Sequence, residues 1–457
     1  MEFSGKRFIV IGAARSGKAV ADFLIKHRAL VYLNDLKKRD EFCEDILGPL
    51  EKAGVQLILG QHADVCKLQP DYLIVSPGVP FAIPPLVEAK KVGIPVWSEI
   101  ELASRNTQAP LVAVTGTNGK TTTTALLGQI FADSGRKVFV GGNIGVPFIS
   151  EAEKLATEDV AVLEVSSFQL ETTENFQPQI AVILNITPDH IDRHDTYEGY
   201  IEAKKKVFSN QKGNDCLILN YDDPETKDLA WSAKGRVLFF SRQHILNEGF
   251  YVSDGWMVVK NEGQITHIIK VEELGIKGGH NLENALAAAT AGWLMGVSFE
   301  SIAHSLKTFP GVPHRLEPVL TYQGVTYIND SKGTNPDASI KALEAYEQPI
   351  VLLTGGKSKG SDFLPFAEKI KERVKELVLV GQAAQEIEEA IKKVGYSRYQ
   401  HAASFSEAVE LASQLAEEGD IVLLSPACAS FDMFTDYEHR GDVFKELVQQ
   451  LAQGNRS

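Results

Sequence analysis

The chain has 457 residues, 44% hydrophobic and 23% charged, with 60 acidic against 46 basic side chains and a formal net charge of −14. This is a globular composition with length for about three domains, and an acidic balance without a basic stripe excludes a general nucleic-acid binder. The apolar stretch ALAAATAGWLMGV falls short of the ~20 residues of a membrane span, the N-terminus lacks the layout of a secretory signal, and the four cysteines (Cys43, Cys66, Cys216, Cys428) form no CxxC pair. The expectation is a cytoplasmic protein without disulfides or structural zinc, with neither nucleic acid nor membrane as partner.

The N-terminal segment predicts a strand over 7–11, a glycine turn, a helix over 16–26 and a strand over 30–34. The alternation continues through YLIVSPGVP in a doubly wound α/β pattern. Gly12, Ala14 and Gly17 give the turn a GxAxxG spacing, and Asp35 closes the next strand where a ribose-binding acid would sit. A tight strand-to-helix turn explains the glycines equally well, and Ala14 hinders close approach of a pyrophosphate. A nucleotide-like ligand remains open. WSEIELASRNTQAP then reads as a connector.

A second unit begins at Leu111. Its continuous apolar runs LVAVTG, VAVLEV and IAVILNI suit parallel strands covered on both faces. The first runs into GTNGKTTT. Backbone amides, a helix N-terminus, Lys120 and a hydroxyl are the parts of a phosphate cradle. The usual spacing wants glycine at 114, which is Val; the upstream glycine is Gly116. Glu164 interrupts an apolar strand near its C-terminal end, where open α/β sheets place ligand groups, and His190 follows the next strand at the same edge. In GYIEAKKKVFSN, Tyr197, Tyr200, Lys204 and Val207 share one helical face, whereas Lys205 and Lys206 fall off it. An inward lysine needs either an anionic partner or loss of its charge. Asn281 and Asn284 open an Ala-rich helix; capping and nucleotide contact both account for them.

After the Pro/Gly junction TFPGVPHR, a third α/β unit carries strands PIVLLTGG, ELVLVG and IVLLSPA. Polar clusters follow its strands and junction: His314 and Arg315; Asp330, Lys332 and Thr334; Lys357 and Lys359; Ser425 and Ser430. Cations and hydroxyls at the C-terminal ends of three strands mark the edge expected for a site.

Taken together, TGTNGKTTT, LEVSSFQLE, HNLENALAA, PGVPHRLE, NDSKGTNPDA and LLSPACASFDMF make the chain resemble the Mur ligases over nearly its whole length, with the last several motifs pointing to the D-glutamate branch. The resemblance implies an α/β fold in three domains: a Rossmann-like UDP-substrate domain over 1–98, a central phosphate-loop ATPase-like domain with a parallel sheet over 99–311, and a C-terminal Rossmann-like amino-acid domain over 312–457. It implies a monomeric ATP-dependent ligase that adds D-glutamate to UDP-N-acetylmuramoyl-L-alanine through an acyl phosphate. Gly116, Thr117, Asn118, Gly119, Lys120, Thr121, Thr122, Asn281, Asn284, Arg315 and Asp330 would hold ATP. Thr121, Glu164, His190 and Lys204, the last carbamylated, would hold two Mg²⁺ ions. Lys120, His190, Lys204 and Lys332 would serve catalysis. Ala14, Arg15, Ser16, Asp35, Ser76 and Asn143 would bind the UDP substrate; Thr334, Lys359 and Ser430 would hold the D-glutamate carboxylates.

A folylpolyglutamate synthase-like ligase shares the loop and the chemistry, but the complete N-terminal unit and NDSKGTN argue against it. A non-catalytic nucleotide-binding regulator would not need the metal-type residues or the third unit. An NAD dehydrogenase rests on GAARSG alone.

Overall fold

The structure is a computed structural model and describes residues 2–42, 44–358 and 360–454, so that Cys43 and Lys359 lie outside the described residues. It is mixed α/β, with three largely parallel sheets. The first has five parallel strands in the order Gln56–Leu59, Leu30–Asp35, Arg7–Ile11, Tyr72–Val75, Val96–Ser98. Gly12 makes the tight turn from its central strand into helix Arg15–Lys26. A Cβ on Gly17 would lie 1.7 Å from the Gly12 carbonyl oxygen, and one on Gly12 2.8 Å from Ser76, so only glycines let this helix seat on its strand.

The second sheet has nine strands. Its core runs Cys216–Asn220, Ile180–Ile183, Leu111–Thr115, Val160–Glu164, Val138–Gly142, all parallel. The strands Leu111–Thr115, Val160–Glu164 and Ile180–Ile183 are buried at every position, as their unbroken apolar runs require. Strands Gly249–Ser253, Trp256–Asn261 and Gln264–Lys270 extend the other side as an antiparallel meander. The third sheet pairs Glu317–Tyr322 antiparallel to Val325–Asn329, then continues parallel through Ile421–Leu424, Ile350–Gly355, Val374–Val380 and Tyr399–His401. Apolar clusters cover both of its faces.

The chain forms two compact units, Met1–Leu274 with Leu282–Phe309, and Gly275–Asn281 with Pro310–Ser457. The first two expected domains share one unit, for a visible reason. The segment expected to be a connector is a strand, Val96–Ser98, followed by a buried helix, Glu99–Ser104. The Glu101 carboxylate accepts backbone N–H bonds from Glu174, Asn175 and Phe176 at 2.9–3.1 Å and pairs with Arg105 at 2.6 Å. Glu99 accepts from the Ile149 amide at 2.6 Å, and burial pushes its carboxyl up to about 7. A single apolar cluster runs from Phe3 to Leu229 across both sheets.

Of the described cysteines, Cys66 is exposed, whereas Cys216 and Cys428 are buried. Among the described residues no helix is long and apolar enough to cross a membrane.

Candidate active site

In the first unit, strand Leu111–Thr115 delivers the chain into the GTNGKT loop, and Gly119 (φ +86°) caps helix Lys120–Asp133. Left-handed backbone favours glycine here, and space demands it: a Cβ on Gly119 would sit 2.2 Å from Asn284 Oδ1. Thus Asn284, placed in the sequence as a capping or nucleotide residue, lies directly over the loop. Thr117 Oγ1 donates to the Thr187 carbonyl and shares a 3.2 Å hydrogen bond with the Tyr200 hydroxyl. Asn118 is clamped by Asn185, which accepts from its amide at 2.8 Å and donates to its carbonyl at 3.1 Å. The role of Asn185 escaped sequence reasoning; its signal was the one polar residue closing the apolar run IAVILN. Thr121 stays partly exposed, whereas Thr122 is buried.

Two lysines converge on the loop. Lys120 Nζ donates to the carbonyls of Gly116 (2.9 Å) and Thr117 (2.7 Å), and Lys204 Nζ donates to the same Gly116 carbonyl at 2.8 Å. Helix Tyr197–Lys205 turns Lys204 inward as the spacing predicts: it is 1% exposed, beside Tyr200, whose ring it overlies at 4.5 Å. Burial pulls its pKa well down, and nearby Lys120 pulls it further; Asp189 opposes them. Desolvating an ammonium costs several kcal/mol, so this amine is held towards its neutral form. Lys205 pairs with Glu202, off the apolar face. Lys206 also leaves that face but donates to the Glu171 carbonyl at 2.5 Å, so it is not simply solvated.

Glu164 ends strand Val160–Glu164 beside the loop strand, in register with Val114, and is 2% exposed. Its Oε1 accepts from Asn143 Nδ2 at 2.9 Å, while its Oε2 is buried without a hydrogen-bond partner. An orphaned carboxylate oxygen at a sheet edge fits a hard cation. His190 adopts φ +54°; its side chain is 46% exposed, its ring 4.8 Å from Phe168 and 6.5 Å from Tyr200. Among the described residues no three His, Cys, Asp or Glu side chains converge as a ready metal cage. The expected set contains only two such residues, Glu164 and His190, and needs Thr121 and a modified Lys204 to complete it.

The first glycine turn exposes Ala14 and Arg15, with Ser16 partly covered. Asp35 Oδ2 accepts the Ala13 amide at 2.8 Å and Oδ1 the Lys37 amide at 3.0 Å. Asn34 is fully engaged with Ile58, Gln61 and Ala63, which leaves Asp35 as the member of the pair at the turn. Ser76 Oγ donates to the Gly12 carbonyl.

In the second unit, Asp330, Lys332 and Thr334 follow strand Val325–Asn329, Lys357 follows Ile350–Gly355, and Ser425 and Ser430 follow Ile421–Leu424; the three strands are neighbours. The clusters therefore meet at one sheet edge. Asp330 is buried and accepts from Ser425 Oγ (2.8 Å) and the Leu316 amide (3.3 Å). Burial pushes its carboxyl up to about 6, with Arg315 opposing. Arg315 and Asn281 line a cavity of about 540 Å³ with Lys277, Leu316 and Tyr346. Asn281 also donates to the Lys277 carbonyl at 2.8 Å. Lys332 Nζ lies 5.3 Å from the centre of the Tyr437 ring, and Ser430 is buried.

A doubly wound sheet followed by a phosphate-loop sheet and a third α/β sheet, with lysines gathered on the loop, defines a nucleotide-dependent ligase of the Mur type, and the chain belongs to the Mur ligase family. Models of three Mur ligase domains match it: the MurD-like N-terminal domain over 6–98, the middle domain over 114–292 and the glutamate ligase domain over 314–428. A relative from Pelotomaculum thermopropionicum, UDP-N-acetylmuramoylalanine--D-glutamate ligase, is 52% identical over 99% of both chains. A protein of the same name from Desulfitobacterium hafniense (strain DSM 10664 / DCB-2) is 47% identical over 98% of this chain and 99% of its own. Among solved structures, UDP-N-acetylmuramate-alanine ligase from Thermotoga maritima shares the fold, with TM-score 0.61 at 20% identity over 98% of this chain and all of the other. The family uses ATP and Mg²⁺.

Proposed function

We propose that this protein joins D-glutamate to the free carboxyl of UDP-N-acetylmuramoyl-L-alanine at the expense of ATP, a step of peptidoglycan precursor synthesis. The acceptor carboxylate takes the γ-phosphoryl group of ATP and releases ADP; the D-glutamate amine then attacks the acyl carbon, expels phosphate and loses a proton. The observation that carries this reading is the convergence of Lys120 and Lys204 on the Gly116 carbonyl, beside a loop built for phosphate. Few residues need to react covalently, and the chain's task is to position anions and stabilise their charge.

Lys120 and the amides of Gly116–Thr122 hold the nucleotide phosphates, and Asn284 closes over the loop. Asn281, Arg315 and Asp330 hold the nucleoside. Lys332 steadies the transferred phosphoryl group. Lys359, Thr334 and Ser430 recognise the D-glutamate carboxylates. Ala14, Arg15, Ser16, Asp35 and Ser76 receive the UDP moiety, and Asn143 contacts the acceptor while orienting Glu164. Mg²⁺, when bound, supplies positive charge at the phosphates. Thr121, Glu164 and His190 would hold it together with Lys204. A neutral Lys204 amine can add CO₂ and lose a proton, which turns it into a carbamate whose oxygens suit a hard ion. The domain division proposed is 1–98, 99–311 and 312–457.

The test is phosphate release with purified protein, ATP and Mg²⁺. Release should require both UDP-N-acetylmuramoyl-L-alanine and D-glutamate, since a site that holds two carboxylates at the spacing of glutamate leaves buried polar groups unpaired with an amino acid whose carboxylates are fewer or farther apart. Equal rates with L-lysine or meso-diaminopimelate would overturn the assignment.

A further inference from the structure

Helix Tyr437–Gly454 contains an arginine that none of the roles above uses. Arg440 is 1% exposed and among the largest buried side chains of the molecule. All its hydrogen bonds go to neutral oxygens: Nε to Ser331 Oγ (2.9 Å), Nη2 to the Ser331 carbonyl (2.8 Å), and Nη1 and Nη2 to the Cys428 carbonyl (3.2 and 3.3 Å). Burial lowers its pKa to about 10, which leaves it a cation at neutral pH.

The two loops it bridges are those that matter. Ser331 immediately precedes Lys332, and Cys428 lies two residues before Ser430. A third loop packs against the same guanidinium: a Cβ on Gly356 would lie 3.2 Å from Arg440 Nη1. That loop is itself tied to the Cys428 loop, because Lys357 and Ala429 exchange backbone hydrogen bonds at 2.8 and 3.1 Å. The same helical turn supports the Lys332 loop from below. Ser331 Oγ donates to the Tyr437 carbonyl at 2.7 Å, Asn329 Nδ2 donates to the Gly441 carbonyl at 3.3 Å, and the Tyr437 ring lies under Lys332 Nζ. Gly441 is required there, since a Cβ would meet His314 Nδ1 at 2.2 Å, and the His314 carbonyl accepts the Lys332 amide.

We propose that Arg440 is a positioning residue for the ligation: its planar guanidinium fixes the spacing between the Lys332 loop and the Ser430 loop, and so sets the geometry in which the phosphoryl group and D-glutamate are presented to each other. This rests on the roles of Lys332 and Ser430 proposed above. Arginine suits the task because its fork of donors reaches several carbonyls in one plane, which a lysine ammonium cannot reproduce. A burial this complete has no need of a charge for packing alone, and an apolar residue would serve it at lower desolvation cost.

The experiment compares wild type with Arg440→Lys in D-glutamate-dependent phosphate release, alongside hydrogen–deuterium exchange of the peptides covering 329–334 and 426–430. In the variant, kcat should fall and the KM for D-glutamate rise, each by roughly ten- to a hundredfold, as for a small misplacement of reacting groups. The KM for the UDP acceptor, whose proposed residues lie in the other unit, should be unchanged. Exchange should quicken in both peptides together, with unchanged circular dichroism. If Arg440→Lys does not fold, Ser331→Ala removes one acceptor of the guanidinium and should show the same split at smaller size. An unmoved KM for D-glutamate, or a loss spread equally over both substrates, overturns the proposal, as does unaltered exchange. A wild type that ignores D-glutamate sinks the functional reading instead; the exchange result still judges the tether.

Discussion

The molecule contains two glycine turns that look alike in sequence and differ in what they have done with their amides. Each joins a central parallel strand to a helix. In the first, the Asp35 carboxylate already accepts the Ala13 amide, so a protein anion occupies the turn. In the second, the gathered groups are cationic or potentially so: Lys120 and Lys204 both reach Gly116, and the helix begins at a left-handed Gly119. A helix N-terminus with a lysine beside it attracts anions. The lesson is that a glycine-rich turn is not by itself a phosphate site. What distinguishes the two is whether the protein supplies its own negative charge.

Five substitutions test the two turns and the helix that links their sheets. The largest effect is expected from Lys120→Ala, which should reduce ligation roughly 10³-fold, the scale for deleting a charge-stabilising donor, without unfolding the protein; near-normal turnover at saturating ATP would remove the second turn from the chemistry. Next, Lys204→Ala should cost about 10²-fold, with partial recovery in added acetate, whose oxygens can take the place of the lost carbamate. Lys205→Ala, which loses only an exposed pair with Glu202, should remain active, and the reverse pattern would show the helical register to be wrong.

A smaller effect belongs to the first turn. Asp35→Ala should raise the KM for the UDP acceptor about tenfold, in line with losing charge-assisted hydrogen bonds of roughly 1.5 kcal/mol, and leave kcat intact. A fall in kcat with unchanged KM would mean that the first turn is not a substrate platform.

The smallest effect is on stability. The Glu99 carboxyl titrates near 7 when folded and near 4.5 unfolded, so the folded state binds this proton more tightly. Its contribution is complete below about 4.5 and is lost as pH rises through 7, by at most about 3 kcal/mol. Glu99→Gln keeps an acceptor for the Ile149 amide and cannot ionise. Thermal melts should find it more stable than wild type at pH 8 and similar at pH 5; equal melting at both would place the Glu99 proton elsewhere.

Much of this was legible in the chain. LVAVT, VAVLE and IVLL are apolar without alternation, which leaves few options except parallel strands covered on both faces, and the polar residues that end or directly follow them mark the edge. The inward turn of Lys204 followed from helical spacing alone. The missed features depended on partners distant in sequence. Glu99 and Glu101 sit in a short segment that reads as a connector; only the amides of Ile149 and residues 174–176 make a buried helix of it. Arg440, in YEHRGDVF, looks like one charge on an exposed face until Ser331 and Cys428 are brought to it. The meander over 249–270 is made of short strands joined by tight turns, whose alternation is a weaker signal than an unbroken apolar run.

The three amides gathered by Glu101 bear on how this chain can be divided. The match to the N-terminal family domain ends at 98, and the middle one begins at 114. A cut between them looks harmless on a diagram. A fragment starting at 107 would nevertheless strip the Glu174, Asn175 and Phe176 amides of their common acceptor, and one ending at 106 would strand a carboxylate made for them. The seam between these two modules therefore runs through a hydrogen-bonded joint, and anyone recombining N-terminal modules among related ligases would have to carry residues 99–105 together with the central sheet that receives them.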